Sequence, residues 1–123
     1  MRIYIAGPLS TTEDGEERSP SKIVTDYIQN IHAMCMVAAR VRKRGHAPFI
    51  PGLDFLIGVV VGDWEEQDYR GVGMAFLEVC DAVLVVARSK GVDAEVERAK
   101  ELNIPIYFMG KRGGISVKEI PNV

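Results

Sequence analysis

The sequence is poor in the residues that build disulfide-rich or metal-held domains. It contains two cysteines and two histidines among 123 residues, and Cys35 and Cys80 do not form a CxxC pair. We therefore expect neither a disulfide framework nor a zinc site, and we interpret both cysteines as buried free thiols. No metal or other cofactor is predicted.

The sequence also lacks an excess of charge and long apolar runs. Its net charge is -2 with mixed signs, which gives no electrostatic reason to expect nucleic acid or an anionic membrane as a partner. No apolar stretch approaches the roughly 20 residues of a membrane span, and the apolar run in MRIYIAGP is too short for a signal peptide. We expect a soluble cytoplasmic protein, and small-molecule ligands remain open.

What the chain does have is apolar material for one core. Hydrophobic residues make up 47% of the sequence, which is enough for a single domain over residues 1–123 but not for two.

The most informative stretch is DAVLVVARSKGVDAEVERAKELNIPIYF, residues 81–108. Residues 82–87 and 106–109 are continuous apolar runs, whereas residues 94–102 have helical spacing with Asp93 as a candidate cap. The pattern predicts a β-loop-α-β unit with two parallel strands buried on both faces. Ligands of such sheets bind beyond the carboxyl ends of the strands, so the loop of residues 88–93 is a candidate site.

The remaining segments extend this pattern. Residues 3–6 predict a first strand, residues 22–43 an amphipathic helix, and residues 47–51, with two prolines, an edge strand. Asp63 is a candidate cap for a helix that Gly71 and Gly73 are expected to kink or break. The alternation predicts a three-layer α/β/α sandwich around a parallel sheet of four or five strands, Rossmann-like or flavodoxin-like.

Two segments are harder to assign. Residues 53–62 (LDFLIGVVVG) are too apolar for a monomer's surface loop, so we interpret them as a helical or extended flap against a second subunit. A plain core strand is the alternative. Residues 10–21 are polar and lack apolar anchors, which is typical of a mobile loop, and they are a candidate lid.

Two side chains near the predicted site have both structural and functional interpretations. Glu95 would lie in the first turn of its helix, either to complement the helix dipole or to act in the cleft. Tyr4 is either packed in the sheet or reaches the cleft with its phenol. Gly7-Pro8 ends the first strand, but GPLS fits neither GxGxxG nor GxxxxGK[ST], so no dinucleotide or Walker site is predicted.

Several motifs together resemble a known family. They are IYIAGP, Asn30, GHAPFIP, LEVCDAVLVV and SKGVDAEVERA. In this order and spacing they resemble the nucleoside 2-deoxyribosyltransferase superfamily, including the 2'-deoxynucleoside 5'-phosphate N-hydrolases. The resemblance implies cleavage of an N-glycosidic bond of a nucleoside or nucleoside 5'-monophosphate, by hydrolysis or by transfer to another base.

The resemblance also implies roles for single residues. Glu95 matches the glutamate nucleophile that attacks C1' of the sugar, and Tyr4 matches the tyrosine that positions it. Ser89 matches a serine of the monophosphate hydrolases, where the transferases carry aspartate. Ser116 matches a second phosphate-contacting serine that is donated across a dimer interface, so the resemblance implies a homodimer or higher homo-oligomer.

Gly7, Pro8 and Gly91 complete the implied binding residues, because glycine lets the backbone approach a ligand closely. One position departs from the family. Eight residues before the aspartate that matches Asp81, the family carries an active-site aspartate, and this chain has Gly73. Asp68 is the nearest candidate acid, although on a regular helix it would point roughly 140° away.

The departure keeps other functions open. Without a proton donor, the protein would be a catalytically weak nucleotide-binding module. A structural or partner-binding role, with residues 53–62 as the docking surface, is a further alternative.

Overall fold

The computed structural model describes residues 1–8, 19–110, 114 and 116–121. Over these residues, strands and helices alternate along the chain as predicted. Their bounds are β1 (Arg2–Ala6), α1 (Pro20–Lys43), β2 (Ala47–Phe49), α2 (Phe55–Val61), α3 (Glu66–Leu77), β3 (Ala82–Val85), α4 (Lys90–Glu101) and β4 (Ile106–Phe108). Short 3-10 turns precede α2 (Pro51–Asp54) and follow β4 (Val117–Glu119).

The four strands form one all-parallel sheet in the order β2-β1-β3-β4. Strand β2, which contains Pro48, lies at an edge, where a missing backbone donor is tolerated. Strand β1 is central, and Tyr4 is in register with Phe49 on one side and Val83 on the other. The parallel sheet of the predicted α/β class is confirmed.

The two faces of the sheet are covered by different helices. On one face, Ile3 and Ile5 pack with Met34, Val37 and Val41 of α1. On the other face, the alternate residues of β1 pack with α3 and α4; this second cluster comprises Tyr4, Ala6, Leu77, Val83, Val85, Val92, Val96 and Ala99. Because successive side chains of a strand point to opposite faces, this arrangement gives the three-layer α/β/α sandwich and turns Tyr4 towards α4.

Helix α4 begins earlier than predicted. Its N-cap is Ser89, whose hydroxyl accepts a hydrogen bond from the Val92 amide at 3.2 Å, and Asp93 lies in the first turn. The prediction that Asp93 caps this helix was wrong. Both residue types cap helices well, and β3 ends at Val85, which leaves room for the earlier start.

Helix α3 also differs from its prediction. Its N-cap is Glu65 rather than Asp63, and the Asp68 carboxylate accepts a hydrogen bond from the Glu65 amide at 2.7 Å, which closes a capping box. The expected break at Gly71 and Gly73 does not occur, since α3 is continuous. A cost of about 1 kcal/mol per glycine is smaller than what a capped helix gains by packing on a sheet.

The apolar segment of residues 53–62 is helical, so the core-strand alternative was wrong. Gly58 is the buried residue of α2. It packs so closely on α3 that a Cβ there would collide with the Tyr69 hydroxyl. The outer side of the segment is exposed; its large apolar residues there are Leu53, Leu56, Ile57, Val59, Val60 and Val61. The chain therefore presents an uncovered apolar surface on this segment.

Candidate active site

A cavity of about 470 Å³ opens at the carboxyl ends of β1 and β3. Its walls come from β1, α1, the 3-10 turn before α2, the start of α2, α3 and the first two turns of α4. This is the position that the parallel sheet predicts, and the volume lies in the range of small-molecule sites.

Glu95 and Tyr4 meet inside this cavity. Tyr4 is 1% exposed at the centre of the sheet, and its hydroxyl donates a hydrogen bond to the Glu95 carboxylate. Glu95 Oε2 is also buried and has no hydrogen-bond partner among the described residues. The carboxylate is thus held by Tyr4, while one of its oxygens has unused hydrogen-bonding capacity.

Burial sets the charge state of this pair. It raises the pKa of Glu95 to about 7, against the hydrogen bond from Tyr4, which lowers that pKa. Burial, followed by the negative charge of Glu95, raises the pKa of Tyr4 well above its ordinary value. Tyr4 therefore stays a hydrogen-bond donor, and Glu95 changes charge close to neutral pH.

The N-terminal end of α4, just before Glu95 in the chain, forms one wall of the cavity. Ser89 and Gly91 line it, as expected for binding residues. The Ser89 oxygen accepts the capping bond from Val92, and its hydroxyl hydrogen can still be donated. Together with the positive end of the helix dipole, this arrangement suits an anionic group.

The glycines of the site are not equivalent. A Cβ at Gly91 would meet only the Ser89 hydroxyl, at 3.9 Å, so the cavity is open there. A Cβ at Gly7 would lie 2.8 Å from Met34 Sδ, so packing of β1 against α1 already requires glycine at this position. Gly7 lines the cavity, whereas Pro8 is not among its lining residues.

An aromatic wall, which the sequence analysis missed, faces this cavity. Tyr27, Phe55 and Tyr69 line it, with ring centroids 4.4 Å apart for the first pair and 6.2 Å apart for the second. The Tyr27 hydroxyl donates to the Gly52 carbonyl, which fixes its ring. These rings come from three separate elements, so no local pattern indicates that they are neighbours. Such a wall can stack on a planar ligand.

Asp54 is a second carboxylate in the cavity and was also missed. Burial raises the pKa of Asp54. The available signal was its place in the sequence, a single charge within the apolar run of residues 53–62. Two further charges line the cavity, Glu66 and Arg70, and they form an exposed ion pair at 2.6 Å.

The structure does not bring Asp68 to this cavity. Asp68 is exposed, its carboxylate is engaged in the α3 cap, and it is absent from the lining. Gly73, at the position where the resemblance implies an aspartate, is buried and lines the cavity. A Cβ at Gly73 would lie 3.2 Å from the Tyr4 hydroxyl and 3.5 Å from Pro51 Cβ.

Ser116 also lies outside the cavity of the single chain. It is exposed and begins the 3-10 turn Val117–Glu119, where its amide donates to the Glu119 carboxylate at 2.7 Å. Of the predicted lid, residues 10–18 are outside the described residues, whereas Ser19 caps α1 and Pro20 and Ser21 belong to that helix, so the loop prediction was wrong at this end.

Over the described ranges, no three His, Cys, Asp or Glu side chains are grouped so as to hold a metal ion. In the same part of the chain, no helix combines the length and the apolar character needed to cross a membrane.

The fold and the cavity define a three-layer α/β protein with a carboxylate-lined cavity at the carboxyl edge of its parallel sheet. Residues 2–109 match a family described as a domain of unknown function (DUF7768), and the chain belongs to that family. A comparison with curated proteins gave no match.

Proposed function

We propose that this protein cleaves the N-glycosidic bond of a nucleoside 5'-monophosphate or nucleoside, with Glu95 as the nucleophile. The observation that carries the proposal is the Tyr4–Glu95 pair inside the cavity. A desolvated carboxylate that lines the cavity, is held by a permanent donor and has one oxygen without a hydrogen-bond partner among the described residues is placed to attack an electrophilic carbon.

The chemistry fits a carboxylate in this environment. Breaking the bond between C1' and the base nitrogen develops positive charge on the sugar, and a desolvated carboxylate stabilises or captures that centre. The ionised form of Glu95 is required, and a pKa of about 7 makes it available at neutral pH while keeping it basic.

The walls of the cavity support the substrate class. The rings of Tyr27, Phe55 and Tyr69 offer a surface for a planar base. The α4 N-terminus, with the Ser89 hydroxyl, offers donors for a phosphate on the same side as Glu95. A base, a sugar carbon and a phosphate can thus each be assigned a part of one cavity.

Gly73 favours a second candidate function. If no other group supplies a proton to the leaving base, the same cavity binds nucleotides without cleaving them quickly. A nucleotide-binding module of this kind would retain the aromatic wall and Ser89 but would gain nothing from an ionised Glu95.

Release of free base tests the proposal against this alternative. Ribo- and deoxyribonucleoside 5'-monophosphates and the matching nucleosides are incubated with the wild type, Glu95→Ala and Glu95→Gln. Base release by the wild type that disappears in both variants is expected. If the wild type releases nothing while a nucleotide raises its melting temperature, the binding module is the correct function.

We further propose that the protein is a homo-oligomer that uses the apolar surface of residues 53–62. Val60 is 75% exposed and Leu56 66% exposed, and large apolar patches usually mark interfaces. Native mass measurement of the wild type and of Val60→Glu tests this, since the oligomer should dissociate in the variant. A monomeric wild type would contradict it.

The two free thiols, Cys35 and Cys80, fit a cytoplasmic location.

A further inference from the structure

Asp54 occupies a helix-capping position without capping the helix. It is the N-cap residue of α2, and aspartate there normally accepts a hydrogen bond from the first turn. In this protein its side chain makes no such bond. Asp54 instead lines the cavity, and its Oδ2 is buried and lacks a hydrogen-bond partner among the described residues.

Asp54 is electrostatically coupled to two other walls of the cavity. After burial, Glu95 and Cys80, its charge is the next contribution to the raised pKa of Tyr4. After burial, it is the largest cause of the raised pKa of Tyr27. Asp54 therefore lies close enough to Tyr4 and to Tyr27 of the aromatic wall for its charge to raise their pKa.

Asp54 is the best placed acid among the described residues. Glu66 lines the cavity but is exposed and paired with Arg70. Asp68 is outside the cavity, and Gly73 has no side chain to offer. Burial favours the protonated form of Asp54, which is the form that a proton donor needs.

We infer that Asp54 is the general acid of this site and replaces an acid that Gly73 cannot provide. This inference rests on the proposed function. In the first step the Glu95 carboxylate bonds to C1', the bond between C1' and the base nitrogen breaks with its electron pair going to the base, and Asp54 transfers its proton to that base.

In the second step Asp54, now a carboxylate, takes a proton from water as the water oxygen bonds to C1'. The C1'–Glu95 bond breaks, the Glu95 carboxylate is regenerated, and Asp54 is protonated again. The overall reaction is hydrolysis, with no oxidant or further reactant.

The test compares two leaving groups. One substrate is the nucleoside monophosphate that the wild type cleaves best, and the other is 4-nitrophenyl 2-deoxyribofuranoside 5-phosphate, whose phenolate leaves without a proton. Asp54→Asn is expected to lose about 100-fold or more on the nucleotide and less than about fivefold in the first-turnover release of 4-nitrophenolate from the activated substrate. Its later turnovers on that substrate slow, because the glycosyl-enzyme accumulates without Asp54 as the base. Glu95→Gln should lose activity on both.

The controls separate an acid from a structural residue. Asp63→Asn alters an exposed aspartate in the same segment between β2 and α3 and should leave both activities unchanged. Asp54→Ala should regain base release when formate is added, which a purely structural loss would not do. Melting temperatures of all variants report folding.

The outcomes also separate this inference from the proposed function. Equal losses of Asp54→Asn on both substrates, or no loss on the nucleotide, would overturn the role of Asp54 while Glu95 keeps its own. A wild type inactive on both substrates, or a fully active Glu95→Gln, would overturn the proposed function and the inference with it.

Discussion

Tyr4 of the central strand donates its hydroxyl to the carboxylate of Glu95 on α4. The two residues come from opposite ends of the chain, and they meet because β1 and β3 are neighbours in the sheet and α4 follows β3. The bond orients the carboxylate, and one of its oxygens is buried without a partner among the described residues. The proposed chemistry depends on this pair.

Gly73 leaves little space beside the Tyr4 hydroxyl. A Cβ at Gly73 would lie 3.2 Å from the Tyr4 hydroxyl, whereas a Cβ at Gly71 on the same helix would meet nothing within 4 Å. Gly73→Ala should therefore displace the hydroxyl and lower kcat for base release roughly tenfold, about 1.4 kcal/mol. Gly71→Ala should keep full activity and gain about 0.5–1 kcal/mol of stability from helix propensity.

Steady-state kinetics and urea unfolding of both variants check this pair. Equal activities of Gly73→Ala and Gly71→Ala would show that the position of the Tyr4 hydroxyl does not matter to the reaction.

Ser89 combines capping with the proposed phosphate contact, and two substitutions separate them. Ser89→Ala removes the cap and should cost about 1 kcal/mol of stability. Ser89→Asp can still cap α4 but brings a negative charge to the proposed phosphate position. Its kcat/KM for monophosphates, relative to nucleosides, should fall roughly 10- to 100-fold.

The measurement is the ratio of kcat/KM for each monophosphate and its nucleoside. A Ser89→Asp variant with normal stability and an unchanged ratio would remove Ser89 from the phosphate site and leave it only as a helix cap.

The raised pKa of Glu95 predicts a pH-dependent stability. Its folded-state pKa of about 7 lies above the ordinary value of 4.5, so the folded state resists ionisation. The resulting cost is absent below pH 4.5, grows between pH 4.5 and 7, and is complete above pH 7 at about 3 kcal/mol. Glu95→Gln cannot ionise, so its stability advantage over the wild type should be larger at pH 8 than at pH 4.5.

Thermal melting of both proteins across this pH range checks the sign. The acid limb of the wild-type activity profile should have the same pKa, because only ionised Glu95 attacks. A difference in melting temperature that stays constant with pH would mean that Glu95 is not desolvated in solution.

The β-α-β unit was predictable because its information is local. Uninterrupted apolar runs, a polar loop and a helical period together define parallel strands with a site at their carboxyl ends. Glu95 and Ser89 follow from that unit, although α4 starts at Lys90, so Ser89 is its N-cap and Glu95 lies in the second turn rather than in the predicted first turn.

The rest of the site depends on contacts between distant segments. Asp54 reaches the cavity because α2 packs closely on α3. At this contact the Tyr69 hydroxyl lies against Gly58 and donates to the Phe55 carbonyl. Nothing in residues 53–62 indicates this contact. The failed prediction of a helix break has the same origin, because propensity alone does not include the packing of Gly73 against Tyr4.

The most direct test of the central claim is to trap the bond between Glu95 and the sugar. A 2'-deoxy-2'-fluoroarabino analogue of a cleaved nucleoside monophosphate is suitable, because its fluorine slows hydrolysis of the glycosyl-enzyme. Peptide mass spectrometry should find the fluorosugar phosphate on Glu95 in the wild type and no adduct in Glu95→Gln. Base release with no adduct, or with an adduct on another residue, would contradict Glu95 as the nucleophile.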